Sequence, residues 1–166
     1  MLLPSSTLMQ QNDFPLFLFM ILNYKYRLYV NKHTDELSQL VTTSTFVWNH
    51  IIALYRRFYK LYKTSPSCSQ MQKHIAKLAK KNQYWNKMGS QSLQEICQRV
   101  DATYKQFFKK IGRGRPNFHN PYKSGSFMFK GKVGYSLNGN EITINKLGHS
   151  YKFKLTRQYG TVKNVH

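Results

Sequence analysis

The clearest pattern of apolar and polar positions in the chain begins at Ser90. Apolar side chains recur three and four residues apart, the spacing of one buried helical face, at Leu93, Ile96, Cys97, Val100, Tyr104, Phe107, Phe108 and Ile111. Ser92 and Glu95 have the spacing of a capping box, with Ser90 as an alternative cap. Gly112 is the expected C-terminal cap. The pattern predicts a helix whose apolar face is centred on Phe107.

A second, longer apolar stripe predicts a helix over Thr34–Tyr62. Thr34 is its expected N-terminal cap, and the hydroxyl and β-branched residues at Thr42–Thr45 favour a kink. Met71–Ala79 then shows the spacing of a shorter helix with lysines on its polar side. Together with the helix that begins at Ser90, these segments predict a helical bundle over residues 34–111.

Short alternating segments on both sides of this bundle predict β-strands. Tyr24–Val30 alternates before it. Gly112–Pro116 ends the helical region, because proline lacks an amide proton and glycine has little conformational preference. Asn138–Asn140 predicts a hairpin turn, since Asn and Gly adopt positive φ readily. The later alternating segments are Ser126–Lys130, Gly134–Leu137, Ile142–Ile144, Tyr151–Leu155 and Thr161–Val165.

The order of these elements predicts an α+β fold, a small β-barrel with an inserted α-helical bundle. The barrel halves are expected at residues 23–33 and 112–166, on either side of the bundle. Residues 1–22 lack periodicity and are expected to form a poorly ordered extension. Their apolar run is shorter than the about 20 residues that cross a bilayer, and it lacks the basic start of a signal peptide.

The high positive charge and the aromatic content of the chain indicate a polyanionic partner. The 166 residues include 26 Lys and Arg against 6 Asp and Glu, for a net charge of +20, and 15% are aromatic. Cations that neutralise phosphate, interleaved with rings that stack on bases, are typical of single-stranded nucleic-acid binding. The alternative is a solvated basic surface around an aromatic core. Membrane association is not expected.

The metal-binding residue types show no local pattern. Cys68 and Cys97 are isolated, so neither a disulfide framework nor a zinc site is indicated, and Cys97 is expected in the core. A reducing, cytoplasmic location fits. The 6 His have no metal-ligand spacing, and the 6 acidic residues are dispersed along the chain. No catalytic metal set is therefore expected.

Six short segments form a recognisable set, in the order Tyr24–Tyr29 (Y-K-Y-R-L-Y), Phe46–His50 (F-V-W-N-H), Ser92–Gln94 (S-L-Q), Ala102–Phe108 (A-T-Y-K-Q-F-F), Gly114–Phe118 (G-R-P-N-F) and Asn145–Gly148 (N-K-L-G). The set resembles the N-terminal half of TnpB, the OrfB-type protein of bacterial insertion sequences and a relative of type V CRISPR effectors. The resemblance covers residues 24–166. His119 differs from the family, which usually has Lys or Arg there.

The resemblance implies a wedge domain, an OB-like barrel, and a helix-turn-helix-like recognition lobe formed by the bundle. TnpB proteins use these parts to hold a guide RNA and to read a short motif in double-stranded DNA. In the family a RuvC-like nuclease and a zinc ribbon follow. The chain reaches His166 before either, so Mg and Zn are expected only in that missing half, and this chain is not expected to be an enzyme.

The expected nucleic-acid contacts are mostly basic residues before, within and after the bundle. By resemblance, Gln94 faces the target-adjacent DNA motif, with Ser90 on the same turn. The alternative for Gln94 is an exposed helical side chain without a partner. The full predicted set is Arg27, Arg56, Arg57, Lys60, Lys73, Lys77, Ser90, Gln94, Arg113, Arg115 and Lys132.

Three functional interpretations remain open at this point. The first is a truncated TnpB that binds guide RNA and DNA but lacks the catalytic domain. The second is a self-standing helical DNA- or RNA-binding module that regulates or competes with transposition. The third is a non-functional remnant that folds poorly.

Overall fold

A computed structural model describes residues 23–111, 114–123 and 125–165 of the chain. The predicted extension at residues 1–22 lies outside this part. Four helices come first, followed by short strands and one short helix, in the order α1 (Thr34–Tyr62), α2 (Cys68–Ala79), α3 (Gln83–Met88), α4 (Ser90–Phe108), β1 (Phe129–Lys130), α5 (Gly131–Gly134), β2 (Tyr135–Asn138), β3 (Glu141–Ile144), β4 (His149–Lys152) and β5 (Asn164–Val165). The predicted α+β class is confirmed.

Helix α4 occupies the centre of the helical part, because it packs against α1, α2, α3 and β1. Its stripe from Leu93 to Tyr104 is buried, as its spacing predicts. The prediction is wrong for the last turn. Phe107 is only partly buried, and Phe108 and Ile111 are 53% and 60% exposed. The helix ends at Phe108, and Lys110 adopts a left-handed φ of 55°, which turns the chain away before Ile111 can extend the stripe.

The predicted N-terminal caps of α4 and α1 are wrong, because the side chains that were expected to cap these helices bind other groups instead. Gly89 precedes α4 without a side-chain cap. The Ser92 hydroxyl instead donates to the Met128 carbonyl at 2.9 Å, and Glu95 pairs with Arg99. Thr34 is the first residue of α1 and exchanges hydrogen bonds with Asn31. Gly112 lies outside the described residues. Capping side chains occur instead at Ser67 of α2, in a capping box with Gln70, and at Asn82 of α3.

Helix α1 runs unbroken through Thr42–Thr45, where a kink is predicted. Thr43, Ser44 and Thr45 are buried there. A Cβ atom on Gly125 would lie 2.6 Å from the Val41 carbonyl oxygen and 2.7 Å from the Thr45 hydroxyl. The small hydroxyl residues therefore let a later part of the chain approach the helix.

The strands form two small antiparallel sheets, one with the order β2-β3-β4 and one pairing β1 with β5. The predicted hairpin is confirmed, since Asn138 pairs with Glu141 across Gly139 and Asn140. Gly139 has a φ of 56°, which glycine adopts without strain. Inward-facing Tyr135, Ile142, Ile144 and Tyr151 bury the inner face of this sheet.

Tyr24–Val30 does not form the predicted strand. It meets the sheet at a single bridge between Leu28 and Phe153, flanked by backbone bonds from Tyr29 to Lys152 and from Lys154 to Arg27. Tyr26 is partly buried, but Leu28 is 43% and Val30 87% exposed, so the alternation does not bury a whole face that would favour further pairing. The sheets in the described residues do not close into a barrel.

None of the described helices has the length and apolarity to cross a membrane.

Candidate nucleic-acid interface

A cleft of about 320 Å³ lies between α2 and α4. Two of the predicted contacts, Ser90 and Gln94, line it one helical turn apart. Lys80 and Lys146 supply positive charge at its edge. The remaining lining residues come from α2, α3 and the base of α4, namely Gln72, Ile75, Ala76, Ala79, Asn86, Gly89, Leu93 and Cys97. The cleft thus combines an apolar floor with polar and cationic edges.

The local backbone explains how these side chains come together. Gly89 joins α3 to α4 directly and has a φ of 79°, which favours glycine. Lys146 lies in the turn between β3 and β4. That turn is closed by bonds from the Leu147 and Gly148 amides to the Ile144 carbonyl, with Gly148 at a φ of 68°. The Gln72 side-chain amide also donates to the Gln94 carbonyl at 3.5 Å, which connects α2 to α4.

The other predicted contacts lie on the outer surface. Lys73 and Lys77 are exposed one turn apart on α2, and Arg57 and Lys60 are exposed on the last turns of α1. Arg27 and Arg115 are exposed on the chain before and after the bundle. Arg113 and the Lys132 side chain lie outside what the structure describes. Among the predicted contacts whose side chains the structure describes, only Ser90 and Gln94 line the cleft.

Arg56 has partners within the protein. Its guanidinium donates to the Pro116 carbonyl and to the Asn117 side-chain oxygen, both at 3.1 Å, and lies 4.5 Å from the centre of the Phe118 ring. The guanidinium therefore holds Pro116–Phe118 against α1. A phosphate contact by Arg56 stays a prediction.

Trp48 and Asn49, about two turns before Arg56 on α1, bind the same segment. Trp48 Nε1 donates to the Asn117 carbonyl at 3.2 Å, and the Asn49 side chain exchanges two 2.8 Å hydrogen bonds with the His119 backbone. The Trp48 and His119 rings stack with their centres 4.9 Å apart. His119, the position that departs from the family pattern, is thus packed against α1.

A second cavity, of about 270 Å³, lies between α1, the start of α2 and α4. The buried Tyr55 hydroxyl donates to Asp101 at 3.0 Å, and Lys105 pairs with the other oxygen of that carboxylate at 2.7 Å. Burial, then Asp101, raises the pKa of Tyr55 well above its usual range, so the hydroxyl remains a donor. Burial and Asp101 also raise the pKa of the Cys68 thiol in this cavity. A protonated thiol is a poor nucleophile.

Three of the described carboxylates, those of Glu36, Glu95 and Asp101, pair with a basic side chain. Glu95 pairs with Arg99 at 2.9 Å, and Lys87 donates to Glu36 at 3.3 Å. Within the described residues, three potential metal ligands come together at one place, formed by His33, Glu36 and His149. Sequence spacing missed this cluster, because His149 is far along the chain from His33 and Glu36. It missed Lys146 too, although Asn145–Gly148 is one of the segments that resemble TnpB.

No protein-family model matches this chain, and a search of curated proteins likewise finds no match.

Proposed function

We propose that this chain binds nucleic acid as the wedge and recognition parts of a TnpB-like RNA-guided DNA endonuclease, with guide RNA and double-stranded DNA as its partners. The observation that carries the proposal is the cleft in which Ser90 and Gln94 stand beside Lys80 and Lys146. Amide and hydroxyl groups can bond base edges, while ammonium groups contact phosphate. The side-chain amide of a glutamine such as Gln94 can form two hydrogen bonds to one adenine, at N6 and N7.

The charge of the chain supports this function. A net charge of +20 attracts a polyanion and is self-repelling without one. The exposed cations lie on α1, on α2 and on the segments that flank the bundle, so a long nucleic acid can contact several at once. The proposed phosphate contacts on the described surface are Arg27, Arg57, Lys60, Lys73, Lys77 and Arg115, and the proposal extends to Arg113 and Lys132.

Exposed aromatic rings support a single-stranded component in the partner. Tyr59 and Tyr62 are 48% and 63% exposed near the end of α1, and Tyr84 is 54% exposed at the start of α3. Stacking on a base contributes about 1–3 kcal/mol and tolerates any sequence. Guide RNA offers unpaired bases to such rings.

The proposal includes the finer fold, an OB-like barrel that receives the bundle between its halves. The Leu28–Phe153 bridge supports it, because it joins the chain before the bundle to the chain after it. The pairing of β1 with β5 joins two segments that both follow the bundle. The same proposal places the protein in the cytoplasm, where free thiols such as Cys68 and Cys97 stay reduced.

The proposal also holds that this chain binds without cutting. Metal-assisted phosphodiester hydrolysis needs carboxylates that converge on the ions. Glu95 and Asp101 face Arg99 and Lys105 instead, and Glu36 is the one carboxylate in the His33–Glu36–His149 cluster. A regulator that competes with transposition would show the same behaviour, so absence of cleavage does not separate these two interpretations.

Fluorescence anisotropy with labelled single-stranded RNA and duplex DNA tests binding. If six to ten phosphates are contacted, affinity should fall by about 10³ to 10⁵ between about 50 and 200 mM salt. Replacing Lys73 and Lys77 by Gln should reduce the salt slope by about two, since each phosphate contact contributes about one. An affinity that does not respond to salt contradicts the proposal.

Base reading is tested by Gln94→Ala on a panel of DNA duplexes. The expected result is a loss of about 1–3 kcal/mol of preference between the best and next-best sequence. Gln91→Ala is the matched control, because Gln91 is an exposed glutamine of the same helix that does not line the cleft. Equal effects of the two variants would show that Gln94 does not read the DNA sequence.

Incubation of the chain with Mg²⁺, guide RNA and target DNA should give binding and no cleavage.

A further inference from the structure

Two histidines and a glutamate from opposite parts of the chain share a site where α1 begins beside β4. His33 immediately precedes α1, Glu36 is in its first turn, and His149 is the first residue of β4. One ligand atom from each lies within 4.8 Å of the other two. All three residues are half-buried. The cluster lies outside the proposed nucleic-acid cleft.

The backbone around the cluster is held by several hydrogen bonds. Asn31 organises the turn before α1, because its side-chain oxygen accepts from the His33 amide at 2.9 Å. The Asn31 side-chain amide donates to the Ser150 carbonyl at 3.2 Å, and the Tyr151 hydroxyl donates to the His33 carbonyl at 3.3 Å. These hydrogen bonds therefore connect the turn before α1 to β4.

The spacing of the ligand atoms is close to that of a metal site. Ligands about 2.0–2.1 Å from a tetrahedral zinc ion lie roughly 3.3 Å from one another. His149 Nε2 and Glu36 Oε2 are already 3.4 Å apart. The His33 and His149 rings are stacked with their centres 3.7 Å apart, so one imidazole must rotate to direct its nitrogen to the same ion.

The surroundings of Glu36 leave one oxygen available. Lys87 donates to Glu36 Oε1 at 3.3 Å, while Oε2 faces His149. A hydrogen bond to the other carboxylate oxygen orients a carboxylate that binds a metal. The Lys87 side chain is 54% exposed and can also withdraw into solvent when an ion brings positive charge.

We propose that His33, Glu36 and His149 bind one divalent transition-metal ion of the Zn²⁺, Co²⁺ or Ni²⁺ type, which joins the start of the helical bundle to β4. Two imidazoles and one carboxylate suit these ions, whereas Mg²⁺ and Ca²⁺ prefer oxygen ligands. Three protein ligands leave a coordination position for water. The function of the ion is to stabilise the contact between helices and sheet, and it is independent of the proposed nucleic-acid binding.

The test is metal titration of the full chain, purified without a histidine tag and stripped with chelator. Isothermal titration calorimetry with Zn²⁺ should give one ion per chain, and Co²⁺ should give visible absorption without a thiolate charge-transfer band. Zn²⁺ should also raise the melting temperature, because an ion that binds only the folded state stabilises it. Failure of all three metals to bind overturns the proposal.

Variants locate the site. Glu36→Gln and His149→Ala should each weaken Zn²⁺ binding at least about tenfold and reduce the thermal shift, given that losing even a residue that only hydrogen-bonds to a metal ligand weakens binding by about 10–100-fold. His74→Ala is the control, since His74 pairs with His50 at 3.2 Å outside the cluster. If His149→Ala does not fold, Glu36→Gln decides the result. Unchanged binding by Glu36→Gln, or loss of binding in His74→Ala, refutes the assignment.

Discussion

Tyr55 and Tyr104 are two buried, stacked rings with different hydroxyl environments. Their exposed fractions are 3% and 4%, and their ring centres lie 4.0 Å apart. The Tyr55 hydroxyl donates to Asp101 at 3.0 Å. The Tyr104 hydroxyl is buried without a hydrogen-bond partner among the described residues. The pair therefore separates the effect of a buried hydrogen bond from that of ring packing.

Removing each hydroxyl should have opposite consequences. Tyr55→Phe keeps the ring but loses a hydrogen bond to a charged acceptor, which contributes about 1.5–3 kcal/mol. Asp101 retains its 2.7 Å bond to Lys105, so the carboxylate is not left unpaired. Tyr104→Phe removes a buried hydroxyl that has no partner, and such a change is neutral or stabilising. In a chain of this size about 1 kcal/mol shifts the melting temperature by about 2–4 °C.

The assay is thermal and urea unfolding followed by circular dichroism at neutral pH. Tyr55→Phe should lower the melting temperature by about 3–12 °C, which follows from the two preceding ranges. Tyr104→Phe should leave it unchanged or raise it. Equal losses in the two variants, or a larger loss for Tyr104→Phe, would show that the hydrogen bond to Asp101 does not stabilise the fold.

Two further predictions concern packing and pH. Gly125→Ala should destabilise the fold by about 1–3 kcal/mol in urea unfolding, as overpacking does, because the new Cβ would lie 2.6 Å from the Val41 carbonyl oxygen. Gly114→Ala is the control and should be neutral, since a Cβ there would have no atom within 4 Å. Equal effects of the two variants would contradict the close approach at Gly125. Burial and His74 lower the pKa of His50 below 6.5, so its stabilising contribution is complete above pH 6.5 and is lost as pH falls below that value. His50→Gln should therefore reduce the loss of melting temperature on acidification, and an unchanged pH profile would refute this.

Local periodicity by itself determined most of the helical part. The long stripe after the predicted cap Thr34 lies in α1 (Thr34–Tyr62), and the stripe from Leu93 to Tyr104 lies in α4 (Ser90–Phe108), although both helices begin at or before their predicted caps. The turn at Gly139–Asn140 was also predictable, since its φ requirement is a property of neighbouring residues. In each case the deciding interactions span only a few positions, so the sequence pattern contains them.

The tertiary structure decided what side chains from distant positions do to one another. Ser92 has the local pattern of a cap but bonds the Met128 carbonyl, and Tyr24–Val30 alternates like a strand yet meets the sheet at one bridge. His33 and His149 stack although they are far apart in sequence. Helical and strand periods report which face is apolar, but not which distant element covers it. The cleft beside α4 and the His33–Glu36–His149 cluster therefore became visible only when the chain was folded.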